Sequence, residues 1–287
     1  MKRIALILLI YGMTIMVSMQ CVSQTTDSLV VSTQEATDTF RLADLVGSYR
    51  EKALAGDAQS QYDLALCYQY GEGVEQDQKK AIEWFNKAAS QSHAPAQCAL
   101  GLCYQYEYGV KKDMRQAMKW YGKSAAQKNP MAQYCLGLCY AYGDGVTRNP
   151  RQAVEWYRKA ADQNLHLAQL NLGMCYYEGD GVTRNYTQAV EWFQKAAEQG
   201  YARAQYNLGH CYYTGKGVKK DPVQAVEWYK KAAGQGYADA QVSLGACYED
   251  GEGVEKDIDK AIEWYQQAAR QENQAAQEAL EELDATW

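Results

Sequence analysis

Nine cysteines and three histidines carry most of the chemical reach of this 287-residue sequence. Thiols can ligate zinc, form bridges or act as nucleophiles beside an imidazole. Their spacing points elsewhere. Cys67, Cys103, Cys139, Cys175, Cys211 and Cys247 recur every 36 residues, each followed by a tyrosine, in an apolar stripe where a free cysteine behaves as a small hydrophobe. Helices of neighbouring repeats stack about 8–10 Å apart, too far for an unstrained bridge between equivalent positions. Cys98 and Cys135 break the register, so a disulfide between them, across the second and third repeats, stays open. A zinc site from Cys98, Cys103, Cys135 and Cys139 would need C-x4-C and C-x3-C spacings inside helices, which suit the metal poorly. His93, His166 and His210 share no motif. His210 adjoins Cys211, but neighbouring helical residues do not face each other. No catalytic residue, metal or cofactor is expected.

The elements that position these residues are legible from the same period. Trp84, Trp120, Trp156, Trp192, Trp228 and Trp264 lie 36 residues apart, as do Leu64, Leu100, Leu136, Leu172, Leu208 and Leu244. Each unit reads as two helices. In the fourth, Leu172, Cys175 and Tyr176 sit at i, i+3 and i+4, one helical stripe. EGDGV then breaks the helix, since glycine admits turn conformations closed to other residues. Asn185 caps a second helix, and Asp77, Asp113, Asn149, Asp221 and Asp257 hold the same place. Pro150 and Pro222 follow two of these caps, where a missing N–H costs nothing. Ala189, Trp192, Phe193, Ala196 and Ala197 form the second helix's apolar stripe, which reads the tryptophans as core, and Gly200 ends it.

A lone helix pair cannot bury its apolar face, so six must stack. The expected fold is all-α: a right-handed α/α superhelix, or solenoid, of six 36-residue repeats at 58–93, 94–129, 130–165, 166–201, 202–237 and 238–273. Residues 39–57 read as an N-terminal capping helix and 274–287 as a C-terminal one. Gly101, Gly137, Gly173, Gly209 and Gly245 cost helix stability, so they are expected to let a neighbouring helix approach; Glu281 replaces them where nothing should pack. The formal charge of −6 is interspersed, with no basic stripe, so nucleic acid is not an expected partner.

The unit, shown most fully by LGHCYYTGKGVKKDPVQAVEWYKKAAGQG at 208–236, resembles the Sel-one-like repeat, a relative of the tetratricopeptide repeat. The resemblance covers about residues 58–284. The second repeat departs from it, with Tyr106, Glu107 and Tyr108 before Gly109, which puts its turn in question. The resemblance implies a non-enzymatic protein- or peptide-binding scaffold whose first helices line a concave groove. Cysteine-rich relatives have been linked to penicillin binding and β-lactamase-like hydrolysis, which forms the alternative. Those relatives carry two cysteines per repeat about eight residues apart, a pattern missing here, as is a Ser-x-x-Lys nucleophile motif.

Comparing the six repeats separates scaffold from specificity. First-helix positions that vary include Tyr62, Tyr134 and Tyr206 in one register, and His210 four residues on. Tyr177 and Tyr213 follow, and beside them Tyr70, Tyr106 and Tyr142. Spacings of four, seven and eight share a helical face. A tyrosine-rich groove would suit an extended peptide or a partner helix, because tyrosine gives wide contact at low entropic cost. These tyrosines would equally serve to cover seams between repeats.

Lys2 and Arg3 precede a nearly continuous apolar run from Ile4 to Val17, the pattern of a secretory signal. The run is short for a membrane span, although an uncleaved anchor stays open. Cys21 follows as in a lipoprotein signal, but Gln20 stands where a small residue is usual. Residues 1–21 are therefore expected to be a signal peptide or lipoprotein signal, with cleavage after Ser23 as the alternative, and 22–38 a flexible tether. The expected location is the periplasm or cell envelope, lipid-anchored or secreted, with membrane contact only through such an anchor or an uncleaved signal. Mass spectrometry of the native protein should find the chain beginning at or just after Cys21. Recovery of intact Met1 would refute the signal, and unchanged envelope attachment in Cys21→Ser would refute the lipid anchor.

Overall fold

The computed structural model describes residues 44–286; residues 39–43 of the expected first helix and the whole signal and tether lie outside it. Among the described residues the secondary structure is fourteen helices and no strand. Residues 44–54 form α1. Six pairs follow: α2 (Ala58–Tyr70) with α3 (Gln78–Ser90), α4 (Ala94–Tyr106) with α5 (Met114–Ala126), and α6 (Pro130–Tyr142) with α7 (Pro150–Ala161). Then come α8 (His166–Glu178) with α9 (Tyr186–Glu198), α10 (Ala202–Thr214) with α11 (Pro222–Gly234), and α12 (Ala238–Asp250) with α13 (Ile258–Ala269). The half-repeat α14 (Gln274–Glu282) closes the stack. Each helix packs chiefly on the one before and the one after it in the chain, the arrangement of an all-α solenoid.

The second helices begin as their sequence requires. Asp77, Asp113, Asn149, Asn185, Asp221 and Asp257 each accept a backbone N–H of the first turn. Their own N–H groups donate back to the carbonyls of Tyr68, Tyr104, Tyr140, Tyr176, Tyr212 and Tyr248, closing every intra-repeat turn alike. The second repeat keeps this turn despite its sequence. Glu107 takes the left-handed conformation at φ 64° and its N–H reaches the Cys103 carbonyl, as Gly143 does to Cys139 one repeat on. For a residue with a Cβ that conformation costs roughly 1–2 kcal/mol.

In five of the six repeats the two helices touch at a glycine, and the first repeat has Ala65 in that place. A Cβ on Gly173 would lie 2.6 Å from the Phe193 ring, so only glycine lets α8 and α9 come together at that distance. Tyr121, Tyr157, Tyr229 and Tyr265 occupy the place of Phe193 against Gly101, Gly137, Gly209 and Gly245. These aromatic residues, one after each tryptophan, are the buried ones. The tryptophans differ from the expectation of core: all six are half-buried. Trp84 packs against the cluster of Val46, Ala53, Leu64 and Cys67, which spans α1 and the first repeat, and Trp264 against one running from Ala225 to Cys247 across the fifth and sixth repeats. They sit at the edges of cores that adjoining repeats share. Lysine ammonium groups cover five of the six indoles at 3.8 to 4.4 Å from the ring centroid. At the end of the stack, Glu281 of α14 is exposed.

A ladder of glutamines, which the hydrophobic pattern did not reveal, runs through the joints. Gln61, Gln97, Gln133, Gln169, Gln205 and Gln241 are buried near the start of each first helix. Each side-chain amide donates to a carbonyl at the end of the preceding second-type helix, from Ala53 to Ala233, at 3.0 to 3.5 Å. Each carboxamide oxygen accepts from a second glutamine 30 residues later, Gln91 to Gln271, at 2.7 to 2.9 Å. One side chain thus joins three successive helices. Gln97→Leu removes both bonds and should lower stability by about 1–3 kcal/mol, at roughly 0.5–1.5 kcal/mol for each. A urea titration unchanged from the parent would show that the ladder is incidental.

Candidate functional site

The variable first-helix positions separate into three settings. Tyr62, Tyr134 and Tyr206 lie at the joint between helices rather than on an open face. The Tyr62 ring meets Phe85 and His93 at centroid distances of 5.8 and 5.2 Å. Tyr134 is only 8% exposed, packs on Tyr157, and its hydroxyl accepts from Asn171 of the next repeat at 3.2 Å. Tyr206 packs on Tyr229 and Tyr237 and stacks with His210. For these three, covering the seams accounts for the residue type. His210 is half-buried; burial first, and then the Lys216 ammonium, hold its imidazole below the ordinary range.

Tyr70, Tyr106 and Tyr142 occupy the last turn of α2, α4 and α6. Tyr70 and Tyr106 are half-buried, while Tyr142 is 73% exposed, among the few large apolar side chains so open to solvent. Leu66, Leu102 and Leu138 sit one helical turn before them, Leu102 fully buried and the other two partly. Continued into the last three repeats, the same two registers read Met174 with Glu178, His210 with Thr214 and Ala246 with Asp250. The face therefore has an aliphatic and aromatic half over repeats one to three and a polar half over repeats four to six.

Tyr177 and Tyr213 stand at the turn edge, in contacts that cross from repeat to repeat. The Tyr213 hydroxyl donates to Glu252 at 2.6 Å, and Lys220 pairs with the same carboxylate at 2.8 Å. Two seams earlier, in the equivalent places, Arg148 pairs with Asp180 at 2.8 Å. Tyr177 instead accepts from the Lys216 ammonium at 2.9 Å and meets the Tyr186 ring edge-on. Sequence comparison found these tyrosines but not their charged partners. The signal was present, because Lys220 and Glu252 are 32 residues apart, as are Arg148 and Asp180.

The thiols sit in packing positions. All eight described cysteines are free; seven are buried and Cys175 is half-buried. Cys98 and Cys135 are neighbours, and the Cys98 thiol hydrogen-bonded to Cys135 helps hold the latter's proton on. Among the described residues no group of three or more His, Cys, Asp or Glu side chains is placed to hold a metal ion, and no helix is long and apolar enough to cross a membrane. Burial pushes the thiols of Cys103, Cys139 and Cys211 up to about 12 and those of Cys67, Cys175 and Cys247 to about 11.

Known proteins place this geometry in context. The Sel1 repeat model matches residues 58–93, 94–129, 130–165, 166–201, 202–237 and 238–273. A protective antigen present in uropathogenic Escherichia coli strains is 38% identical, with a TM-score of 0.77 over 81% of this chain. This chain spans 50% of that antigen's length. A Sel1 repeat protein from Oxalobacter formigenes is 30% identical, with a TM-score of 0.72 over 85% of this chain and 97% of its own. The type IV pilus biogenesis factor PilW, 18% identical over 78% of this chain and 98% of its own with a TM-score of 0.50, shares the fold alone. No match was found among curated proteins.

The raised thiol values set a pH dependence. A thiol whose folded value exceeds its ordinary 9.0 favours the folded state fully below that value, and the advantage is lost as pH rises through the folded value. Tyr70 and Tyr213, pushed up to about 12 from 10.0, act in the same direction. Urea midpoints should therefore be level up to about pH 9 and fall steadily between about pH 9 and 12. Midpoints that hold through pH 11 would contradict the burial assigned to these groups.

Proposed function

Because this chain belongs to the Sel1 repeat family, with six repeats filling residues 58–273, we propose that it is a non-enzymatic protein- or peptide-binding scaffold. The binding surface is the varying face of the first helices. The observation that carries this reading is the contrast along that face. Leu, Cys and Tyr of the packing stripe keep their type in every repeat, while the face beside it changes from Leu66, Tyr70, Leu138 and Tyr142 to Met174, Glu178, Thr214 and Asp250. A packing requirement would repeat with the repeat; a recognition requirement would not. Tyr142 adds a specific reason: a 73% exposed tyrosine has no packing duty to explain it, and aromatic side chains of this kind dominate binding hot spots.

The reactive side chains favour binding over hydrolysis. Seven of the eight described thiols are buried, burial holds the protons on Cys103, Cys139 and Cys211, and His93, His166 and His210 belong to three different repeats. Export by residues 1–21, with Cys21 as the lipidation candidate, belongs to the same reading.

The test is the triple change Tyr70→Ala, Tyr106→Ala, Tyr142→Ala, with Tyr142→Ala alone as the cleaner variant. Crosslinking and capture from the native envelope fraction should lose the partner in the triple variant. Tyr142→Ala should change stability by less than about 0.5 kcal/mol and weaken binding by more than about 1 kcal/mol. Undiminished capture with a large drop in melting temperature would make the tyrosines structural and sink the groove assignment.

A further inference from the structure

The internal repetition of the chain makes one seam anomalous. At the joint of the fifth and sixth repeats, three side chains from equivalent places meet: the Tyr213 hydroxyl and the Lys220 ammonium both hold the Glu252 carboxylate, at 2.6 and 2.8 Å. Thirty-six residues earlier, at the joint of the fourth and fifth repeats, the same three places hold Tyr177, Arg184 and Lys216. The tyrosine and the cation are kept, and the acid has become a second cation. At the joint of the third and fourth repeats the acid is again present, as Asp180 paired with Arg148 at 2.8 Å. In an acidic chain, two cations have been placed where the flanking seams place an ion pair.

Nothing in the chain supplies the missing charge. Among the described residues neither Arg184 nor Lys216 makes an ion pair with a carboxylate. Asp180, the acid of the preceding seam, is taken by Arg148, and exposed Glu178 pairs with neither cation. The two cations share an aromatic surface instead: the Arg184 guanidinium lies 5.9 Å and the Lys216 ammonium 5.6 Å from the Tyr186 ring centroid. Lys216 also donates to the Tyr177 hydroxyl at 2.9 Å. That hydroxyl, having accepted from the ammonium, keeps its own proton to donate. Arg184 is exposed and Lys216 half-exposed, so the pair is open to solvent.

We infer that this seam binds a carboxylate of a partner peptide, an Asp or Glu side chain or a chain terminus, held by Arg184, Lys216 and the Tyr177 hydroxyl. The partner supplies in trans the acid that Glu252 supplies in cis one repeat later. A planar guanidinium beside an ammonium and a hydroxyl donor offers charge-assisted hydrogen bonds of suitable geometry. The site adjoins the polar half of the first-helix face, and it rests on the binding reading above only in assigning the carboxylate to a peptide.

The test uses the full chain and two acetylated probes, hexaglutamate and hexaglutamine, titrated at low ionic strength while the side-chain nitrogen resonances of Arg184 and Lys216 are followed. Hexaglutamate should give saturable shifts at both residues and hexaglutamine none, with binding weakening above about 0.1 M salt, where the screening length is about 10 Å. Lys216→Glu places an acid in cis as in the next seam, so it should weaken hexaglutamate binding about tenfold or more without lowering the melting temperature. Arg184→Ala should weaken it to a similar degree. Equal response to both probes, no shift at either residue, or full hexaglutamate binding by Lys216→Glu would each overturn the site. Because the Tyr70, Tyr106 and Tyr142 triple variant keeps this seam, it should retain the hexaglutamate response. Loss of partner capture there, with that response intact, separates the two surfaces.

Discussion

The carboxamide of a glutamine donates from one atom and accepts at another, and at Gln97 both ends are satisfied inside the protein. Its Nε2 holds the Ala89 carbonyl at the end of α3, and its Oε1 receives Gln127 from the end of α5. This two-ended constraint fixes where each first helix begins relative to the helix before it and the helix after it. A hydrophobic seam alone would tolerate sliding, since the dispersion and transfer terms that favour it are non-directional. Hydrogen bonds in a buried joint are not tolerant of displacement. Repeating the same clamp at every joint is what turns six helix pairs into one object with a defined pitch. It also lets the outward face vary, because register is set beneath that face and not by it.

Much of this was legible in the sequence because the period of 36 residues is imposed on residue types with distinct physical roles. The caps Asp77 to Asp257, the prolines that follow two of them, the helix-breaking glycines and the close approach at Gly173 all follow from local rules applied six times. The six repeats expected from the period are the six of the family match. What was misread concerns direction. Trp192 and Phe193 are adjacent, so both belong to a broad apolar stripe, but about 100° of rotation separates them. Phe193 meets Gly173 of the partner helix of its own repeat, while Trp192 stays half-buried at the edge of the shared core. Periodicity says that a residue is covered, not by what.

Polarity was misleading in the opposite sense. Gln97 and its equivalents recur as faithfully as the tryptophans, yet glutamine is ordinarily a surface residue, so the recurrence alone does not point to burial. Its role needs the partner glutamine 30 residues on, in another helix, and only the folded chain brings them together. Tyr134 shows the same limit: an aromatic residue at a varying position looks like a recognition element, but its ring is buried against Tyr157. Glu107 shows the reverse, a turn that looked broken in sequence and is intact in space because a backbone hydrogen bond outweighs a modest conformational strain.

The half-buried tryptophans have an optical consequence. Each indole from Trp84 to Trp264 is half-buried at the edge of a core that adjoining repeats share, so the emission of the solenoid is a sum over its joints. A repeat that detaches from one end exposes its own indole and leaves the rest in place. Replacing five of these six tryptophans by phenylalanine would leave one fluorophore at a chosen boundary, with Trp287 beyond the described residues as a background to subtract. Placed in turn at each seam, that single emitter would show whether the stack comes apart all at once or frays from its ends.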